Sequence, residues 1–361
     1  MSNQAANTPL KQMRSIALPY SSSFDIAKFL CSLLVIVIHT RPLSAYSTWL
    51  DFYTVDVLAR IAVPLFFGMT GYLFYGSLTF VNGKIERTTD NYRKLLRYLS
   101  KIGLIYCGWS AIYFLIRLSM WYRIGWWGTT LIKDFAISFL FQGSYYHLWY
   151  LLALLYAIPC LFALMCFIPK NKLILVAVPL WTIECMIYSY SWIVVDKIPV
   201  LSWVISCFSV WFDAIFRAIP LLVTGVLCTE NKGHHVGKTV SKMWLFVFLC
   251  AVEASLLCLF SPNKSKVSYL IFTPFMAYFF LQTLLNKPVA LTAEITMLLR
   301  KSSLLIYCLH PLVLYYCPAI GLESNLGQWT VTTLLTVVIA FVWVRFCGDT
   351  RKKERCVREK Y

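Results

Sequence analysis

The chain has 361 residues, 33 of them Lys or Arg against 16 Asp or Glu, for a formal net charge of +17. Apolar residues make up 59% and charged residues only 14%, at a mean hydropathy of +0.67; a soluble domain carries about 25% charged residues, so the composition excludes one and indicates a polytopic membrane protein. The excess positive charge does not indicate nucleic acid, because the basic residues lie in short loops between apolar runs and in the tail, where they report membrane topology.

In chain order, residues 1–22 are a polar head with Lys11 and Arg14. About twenty polar residues precede the first apolar run and no small-residue cleavage site follows it, so that span is expected to be retained. It runs from Ser23 to Pro42 and carries Asp25 and Lys28 near its start and His39 at its end. Eleven residues of helix climb about 16 Å and turn only about 20° past whole turns, so Lys28 and His39 share one stripe, with Asp25 and Ser32 within about 60° of it. A charge at membrane depth is expensive, and such a stripe reads either as a functional seam or as side chains reaching for the two interfaces.

The second span, about 55–75, holds Arg60 four residues before Pro64, which frees a backbone carbonyl and bends the helix. Arg60 is either an anion clamp or one half of an ion pair with Asp25, Asp56 or a carboxylate elsewhere. Residues 82–101 are a basic linker, either a topology determinant against anionic headgroups or a polyphosphate-recognition segment. The third span is 102–118, and the piece 131–141 after it is too short to cross and suits the interface. The fourth span begins at His147 and Trp149, types that taken alone read as interfacial belt residues. The fifth, 173–189, holds Glu184.

The sixth span, about 210–228, carries Asp213 and Arg217 at i,i+4, on one helix face, which reads first as an internal pair and second as an anion site. Glu184 and Glu253 are expected to neutralise arginines across the bundle. The polar loop after the sixth span contains His234 and His235 without ligand-spaced partners, so no metal is expected. The seventh span is 243–260, the eighth 267–285, and the ninth 302–317 with His310 before Pro311, a ring expected to hydrogen-bond inside the bundle. The tenth is 329–346, ahead of a basic tail. The thirteen cysteines contain no C-x-x-C pair and mostly lie in apolar runs, where they act as small hydrophobes.

The expected fold is therefore an all-α integral membrane bundle of about ten transmembrane helices, with a head over 1–22, a membrane domain over 23–347 and a basic tail over 348–361. With the N-terminus inside, 23 Lys and Arg fall on inner segments and six on outer loops, which predicts both termini cytoplasmic. The seam of the first span then points from the cytoplasm outwards.

Five stretches together resemble one family. The Lys28-x10-His39 pair is similar to the basic-x10-His motif of the acyltransferase family 3 membrane proteins. RIAVPLFFGMTGYLFYG resembles its R-x-x-VPLFF-x-x-SGYL pattern, with Thr70 in the usual Ser position. HLWYLLAL, FRAIPLLVTG and SSLLIYCLHPLVL resemble its fourth, sixth and ninth spans. The resemblance implies transfer of an acetyl or other acyl group from cytoplasmic acetyl-CoA, as a cosubstrate with no bound cofactor, to a hydroxyl of an envelope polysaccharide or lipid-linked glycan precursor at the bacterial inner membrane. It makes His39 the general base and Lys28 its motif partner, with Asp25, Arg60, His147, Trp149, Arg217 and His310 lining the donor or acceptor site. A free imidazole titrates near pH 6.5 and is suited to take a hydroxyl proton at neutral pH. The rival reading from the residues is a transporter or flippase, which also uses intramembrane charges and broken helices.

Overall fold

The computed structural model describes residues 22–123, 125, 128–230, 236–260, 267 and 269–358. Of the expected head (1–22) only Ser22 is described, and His234, His235, Lys264 and Lys266 lie outside the described residues. What is described is helical apart from one two-stranded hairpin.

Helix α1 (Ser22–Thr40) carries Asp25 in its first turn and His39 in its last, each suited to the helix dipole at that end. It stops where Arg41 takes a left-handed φ of 47°, with Pro42 next. Helix α2 (Thr48–Gly76) starts under a Ser47 cap that accepts from the Leu50 N–H. A π turn interrupts it at Tyr53–Leu58, where the Ala59 N–H reaches back five residues to the Thr54 carbonyl.

The basic linker is not a loop. Strands β1 (Phe80–Val81) and β2 (Lys84–Ile85) form a hairpin around Asn82 and Gly83, both at positive φ (52° and 75°), the pair of conformations that a two-residue turn of this type demands. The Asn91 side chain closes it through the Thr79 backbone and the Glu86 carbonyl. Helix α3 (Thr89–Arg123) then runs unbroken for 35 residues, about 52 Å, so the third expected span is the later part of a longer rod.

Helix α4 (Thr129–Ile137) and a π turn at Ser138–Gln142 occupy the short piece after it. Helices α5 (Trp149–Met165) and α6 (Ile174–Ile187) belong to a pair bent by 115°. They are followed by α7 (Pro199–Cys207), α8 (Ser209–Cys228), α9 (Val236–Phe260), α10 (Thr273–Asn286), α11 (Ala293–Tyr316) and α12 (Asn325–Arg358).

Among the described residues seven helices are long and apolar enough to cross a membrane, or up to eight if the bent α5–α6 pair counts as one span. The chain is a multi-pass helical membrane protein. The expected fourth, fifth and eighth spans are helices of 17, 14 and 14 residues, about 21–26 Å against a hydrocarbon core of about 30 Å. A length-blind apolar pattern counts each as a full crossing.

Two helix pairs position the site. α1 packs along α11, and α2 along α8. The second pair is close because small residues face it: a Cβ on Gly71 would strike the Leu222 carbonyl, and one on Gly225 the Gly68 carbonyl. One continuous apolar core runs through α1, α2, α5, α8 and α10.

Candidate functional site

Three histidines from distant parts of the chain meet beside the end of α1. The His39 ring stacks on His310 of α11 at a centroid distance of 5.4 Å, and His147 meets His310 edge-on at 5.5 Å. Tyr146 closes over His39 at 4.8 Å. His147 is 1% exposed and His310 fully buried, so neither is a belt residue; the aromatic neighbours that suggested an interface are the walls of a buried box.

The loop before α5 delivers His147. Gly143 turns it at φ 88°, and a Cβ there would sit 2.8 Å from the Trp149 amide nitrogen, so no larger residue fits. The Ser144 N–H donates to Tyr106 Oη at 3.1 Å, and Ser144 Oγ meets Ser110 Oγ at 2.6 Å. Tyr307 Oη donates to the His147 carbonyl, while Tyr113 Oη donates to the Cys308 carbonyl at 2.7 Å. Tyr113 and Tyr307 also wall the His147 ring, at 5.0 and 5.5 Å.

The backbone of this loop is thus anchored at Ser144 and at the His147 carbonyl. Neither ring nitrogen of His147, nor Nε2 of His310, makes a hydrogen bond of ordinary geometry among the described residues, the Cys308 carbonyl being the polar group near the His147 ring. Leaving a buried polar atom without a well-formed hydrogen bond costs about 1–3 kcal/mol, which a purely structural ring would not incur three times in one place. His310 Nδ1 faces the Ile306 carbonyl at 3.3 Å. A carbonyl only accepts, so Nδ1 carries the hydrogen and Nε2 presents a lone pair to the cluster. Among the described residues no group of three His, Cys, Asp or Glu is arranged to hold a metal ion.

Arg60 stands within electrostatic reach of His39 and resolves as an ion pair with Asp56, Nη2 to Oδ1 at 3.0 Å, with its side chain still 30% exposed. Asp56 is shared: Arg41 bonds it at 2.9 Å and Asp51 at 2.6 Å. Sequence reading named Asp56 only as one option and missed Arg41, in the turn after α1, and Asp51, in the first turn of α2.

Arg217 is placed elsewhere, in a closed cage. Its Nε donates to Glu184 Oε1 at 2.6 Å and its Nη2 to Asp213 Oδ1 at 2.8 Å, with side-chain exposures of 4%, 0% and 8%. Its guanidinium lies over Tyr269, Tyr188 and Trp149 at 3.8, 4.7 and 4.9 Å. Trp149 therefore faces this cage, two residues beyond His147. Glu184 neutralises an arginine as expected, whereas among the described residues Glu253 pairs with none: it accepts from Tyr190 Oη and from the backbone N–H groups of Ile271 and Phe272.

The Asp213/Arg217 and Asp56/Arg60 pairs are a matched device. Each has Asp and Arg at i,i+4, a π turn (Asp213–Ala218 in the first case, Tyr53–Leu58 in the second), a proline three or four residues after the Arg, and a glycine at the α2–α8 contact. The recurrence Asp-x3-Arg…Pro-Leu…Thr-Gly is visible in the sequence when the two stretches are aligned with two gaps, one residue before the Pro and two before the Thr-Gly.

Lys28 and Asp25 lie at the opposite end of α1. Buried Asp25 pairs with Arg300 of α11 at 3.4 Å, and half-buried Lys28 has Asp25, Arg300 and Lys101 of α3 within electrostatic reach. Lys28, Arg300 and Lys101 thus gather around buried Asp25. A groove of about 830 Å³ along α3, lined by Tyr92, Arg93, Arg97, Ser100 and Lys101 among others, ends at this cluster. His39 and Arg60 are not in its lining.

The family model described as an acyltransferase domain matches residues 21–345. Two Enterococcus faecalis proteins named amino-acid racemase are similar to this chain. One is 24% identical over 94% of the chain and 48% of its own length; the other is 29% identical over 57% and 26%. A serine/alanine racemase of Enterococcus gallinarum is 22% identical over 90% of the chain and 46% of its own length. The chain thus spans about half the length or less of these relatives. No solved structure matches it.

Proposed function

Because the chain belongs to acyltransferase family 3, whose domain covers residues 21–345, we propose that it moves an acetyl group from cytoplasmic acetyl-CoA to a hydroxyl of an envelope polysaccharide or lipid-linked glycan precursor. The proposed setting is the bacterial inner membrane with both termini cytoplasmic. The observation that carries this reading is the meeting of His39, His147 and His310, with buried ring nitrogens that make no hydrogen bond of ordinary geometry, about 16 Å along α1 from the cations around Lys28.

Acyl transfer needs a group to take the hydroxyl proton and a donor or cation for the charge that develops on the thioester oxygen. Neutral His39, partly exposed at the end of α1, takes the proton as the hydroxyl oxygen attacks. The acyl C–O bond forms, the C–S bond breaks and the proton ends on the departing thiolate. An N–H of His147 and the guanidinium of Arg60 are the candidates for the oxyanion. Lys28 and Asp25 belong to the donor end, and Arg217 with Trp149 braces α8 against α5.

The names of the relatives favour a second acceptor class. One is a serine/alanine racemase, so the hydroxyl could belong to a free amino acid such as serine. One experiment addresses both: purified protein with acetyl-CoA and either membrane glycan or serine, read as free CoA and as acetylated product. Free CoA with an acetylated acceptor is the expected result, lost in His39→Ala. Undiminished turnover in that variant discards His39 as the base, and no CoA release with either acceptor returns the seam to a transport role.

A further inference from the structure

The basic segment before the third span divides in the structure. Arg87 stacks over Phe167 at 4.6 Å, and Lys94 holds Asp90 at 2.8 Å and the Ser77 carbonyl at 2.9 Å. Arg93, Arg97 and Lys101 follow at four-residue steps along α3, so they form one stripe, and all three are exposed. Asp90, the carboxylate within reach of Arg93 and Arg97, is already taken by Lys94. Among the described residues none of the three cations makes an ion pair. They line the groove of about 830 Å³ together with Leu96, Leu104 and Ile105, and Leu96 is 63% and Leu104 75% exposed. The groove is basic over the first turns of α3 and becomes apolar towards Leu104 and Ile105.

Helix length fixes the depth of this stripe. Between Lys101 and Arg123 the sequence carries one charge, Arg117, whose Nη1 is turned to the Ser144 carbonyl at 3.4 Å. Lys101 and Arg123 are 22 residues apart, a rise of about 33 Å against a hydrocarbon thickness of about 30 Å, so Lys101 stands at the hydrocarbon edge. Arg97 and Arg93 stand about 6 and 12 Å further out, across a headgroup layer of about 5–8 Å. Leu104 and Ile105 lie on the hydrocarbon side. A ligand that fits carries negative charge at headgroup level and an apolar body below it. A soluble phosphate compound would leave the apolar part bare, and a second copy of the chain docked by two-fold symmetry would set like charges against each other.

We propose that this groove holds an anionic phospholipid, with its phosphodiester between Arg97 and Lys101 and an acyl chain along Leu104 and Ile105. Arg97 meets the phosphate oxygens through its planar fork, Lys101 meets them as a point charge, and Arg93 adds attraction from the outer side. The basic stripe then acts as a lipid seat on the outer face of α3. Nothing in this assignment depends on acyl transfer.

The test titrates the full chain in a neutral detergent with phosphatidylglycerol or phosphatidylcholine and counts bound lipid by native mass spectrometry. A cation close to an anionic headgroup is worth about fivefold in affinity, so two or three of them should favour phosphatidylglycerol by about 25–100-fold. Arg97→Gln should lower that affinity by about fivefold, with Arg97→Lys restoring most of it. Lys238→Gln removes an equal charge from the exposed surface of α9 and should leave the affinity within about twofold of wild type. Leu104→Asn should weaken both lipids alike, because it meets the chain and not the charge. Equal affinity for the two lipids overturns the proposal, as does a Lys238→Gln loss as large as that of Arg97→Gln, or a Leu104→Asn chain that binds phosphatidylglycerol as tightly as wild type. Displacement of bound phosphatidylglycerol by coenzyme A also overturns it and reassigns the groove to a soluble phosphate compound.

Discussion

Replacing Arg217 by Met should unfold the bundle at markedly lower temperature without weakening donor binding. The guanidinium is almost fully buried between two carboxylates, at 2.6 and 2.8 Å. Met keeps much of the stem volume but leaves Glu184 and Asp213 facing each other with no counter-charge. Removing one partner of a buried pair costs about 3–5 kcal/mol, chiefly through the charge left behind. The lost contacts with Tyr269, Tyr188 and Trp149 add about 1–2 kcal/mol in a desolvated site. At about 2 °C per kcal/mol for a chain of this size, the midpoint should fall by about 8–14 °C. Thermal scanning of the purified protein by tryptophan fluorescence reads this directly. The triple variant Arg217→Met, Glu184→Gln, Asp213→Asn removes the stranded charges and should recover most of the loss. A shift below about 2 °C in the single variant, or a triple variant no better than the single, refutes the reasoning, because either would mean that water or a rearranged side chain already screens the cage.

The same scan tests the helix contact. Gly225→Ala drives a methyl group onto the Gly68 carbonyl and should cost about 1–3 kcal/mol, whereas Gly237→Ala, with open space around it in α9, should be neutral or slightly stabilising; equal shifts would discard the close-packing account. Asp56→Asn weakens the anchor of both Arg41 and Arg60 beside His39. An approximately tenfold fall in kcat, the effect of about 1.4 kcal/mol, is expected, and a rate within twofold of wild type would show that Arg60 holds its place without this carboxylate.

The seam on α1 was legible because helical geometry alone places Lys28 and His39 on one stripe. The order of the apolar runs gave the helical class for the same reason. The meeting of His39, His147 and His310 was not legible from spacing, since it depends on how three segments more than a hundred residues apart pack; family likeness named the residues without their geometry. His147 was misread in isolation because His, Trp and Tyr serve equally at a lipid interface and in a buried aromatic box. Arg217 and Glu184 were half legible: the i,i+4 neighbour follows from the helix, but the carboxylate from α6 and the stacked rings do not. The hairpin at Asn82 and Gly83 was readable from its Asn-Gly pair and was obscured by the surrounding positive charge.

The π turn at Tyr53–Leu58 fits one more residue into α2 than a regular helix would hold over the same length. Excising a residue there, Val57 for example, would let the segment relax to ordinary winding. Everything between it and Ser47 would then swing by about 100° relative to Pro64 and the glycine contact. The packed half of α2 would stay seated on α8 while Asp51 and Asp56 rotated away from Arg41, so one deleted codon could separate assembly of the bundle from the arrangement of its reactive end.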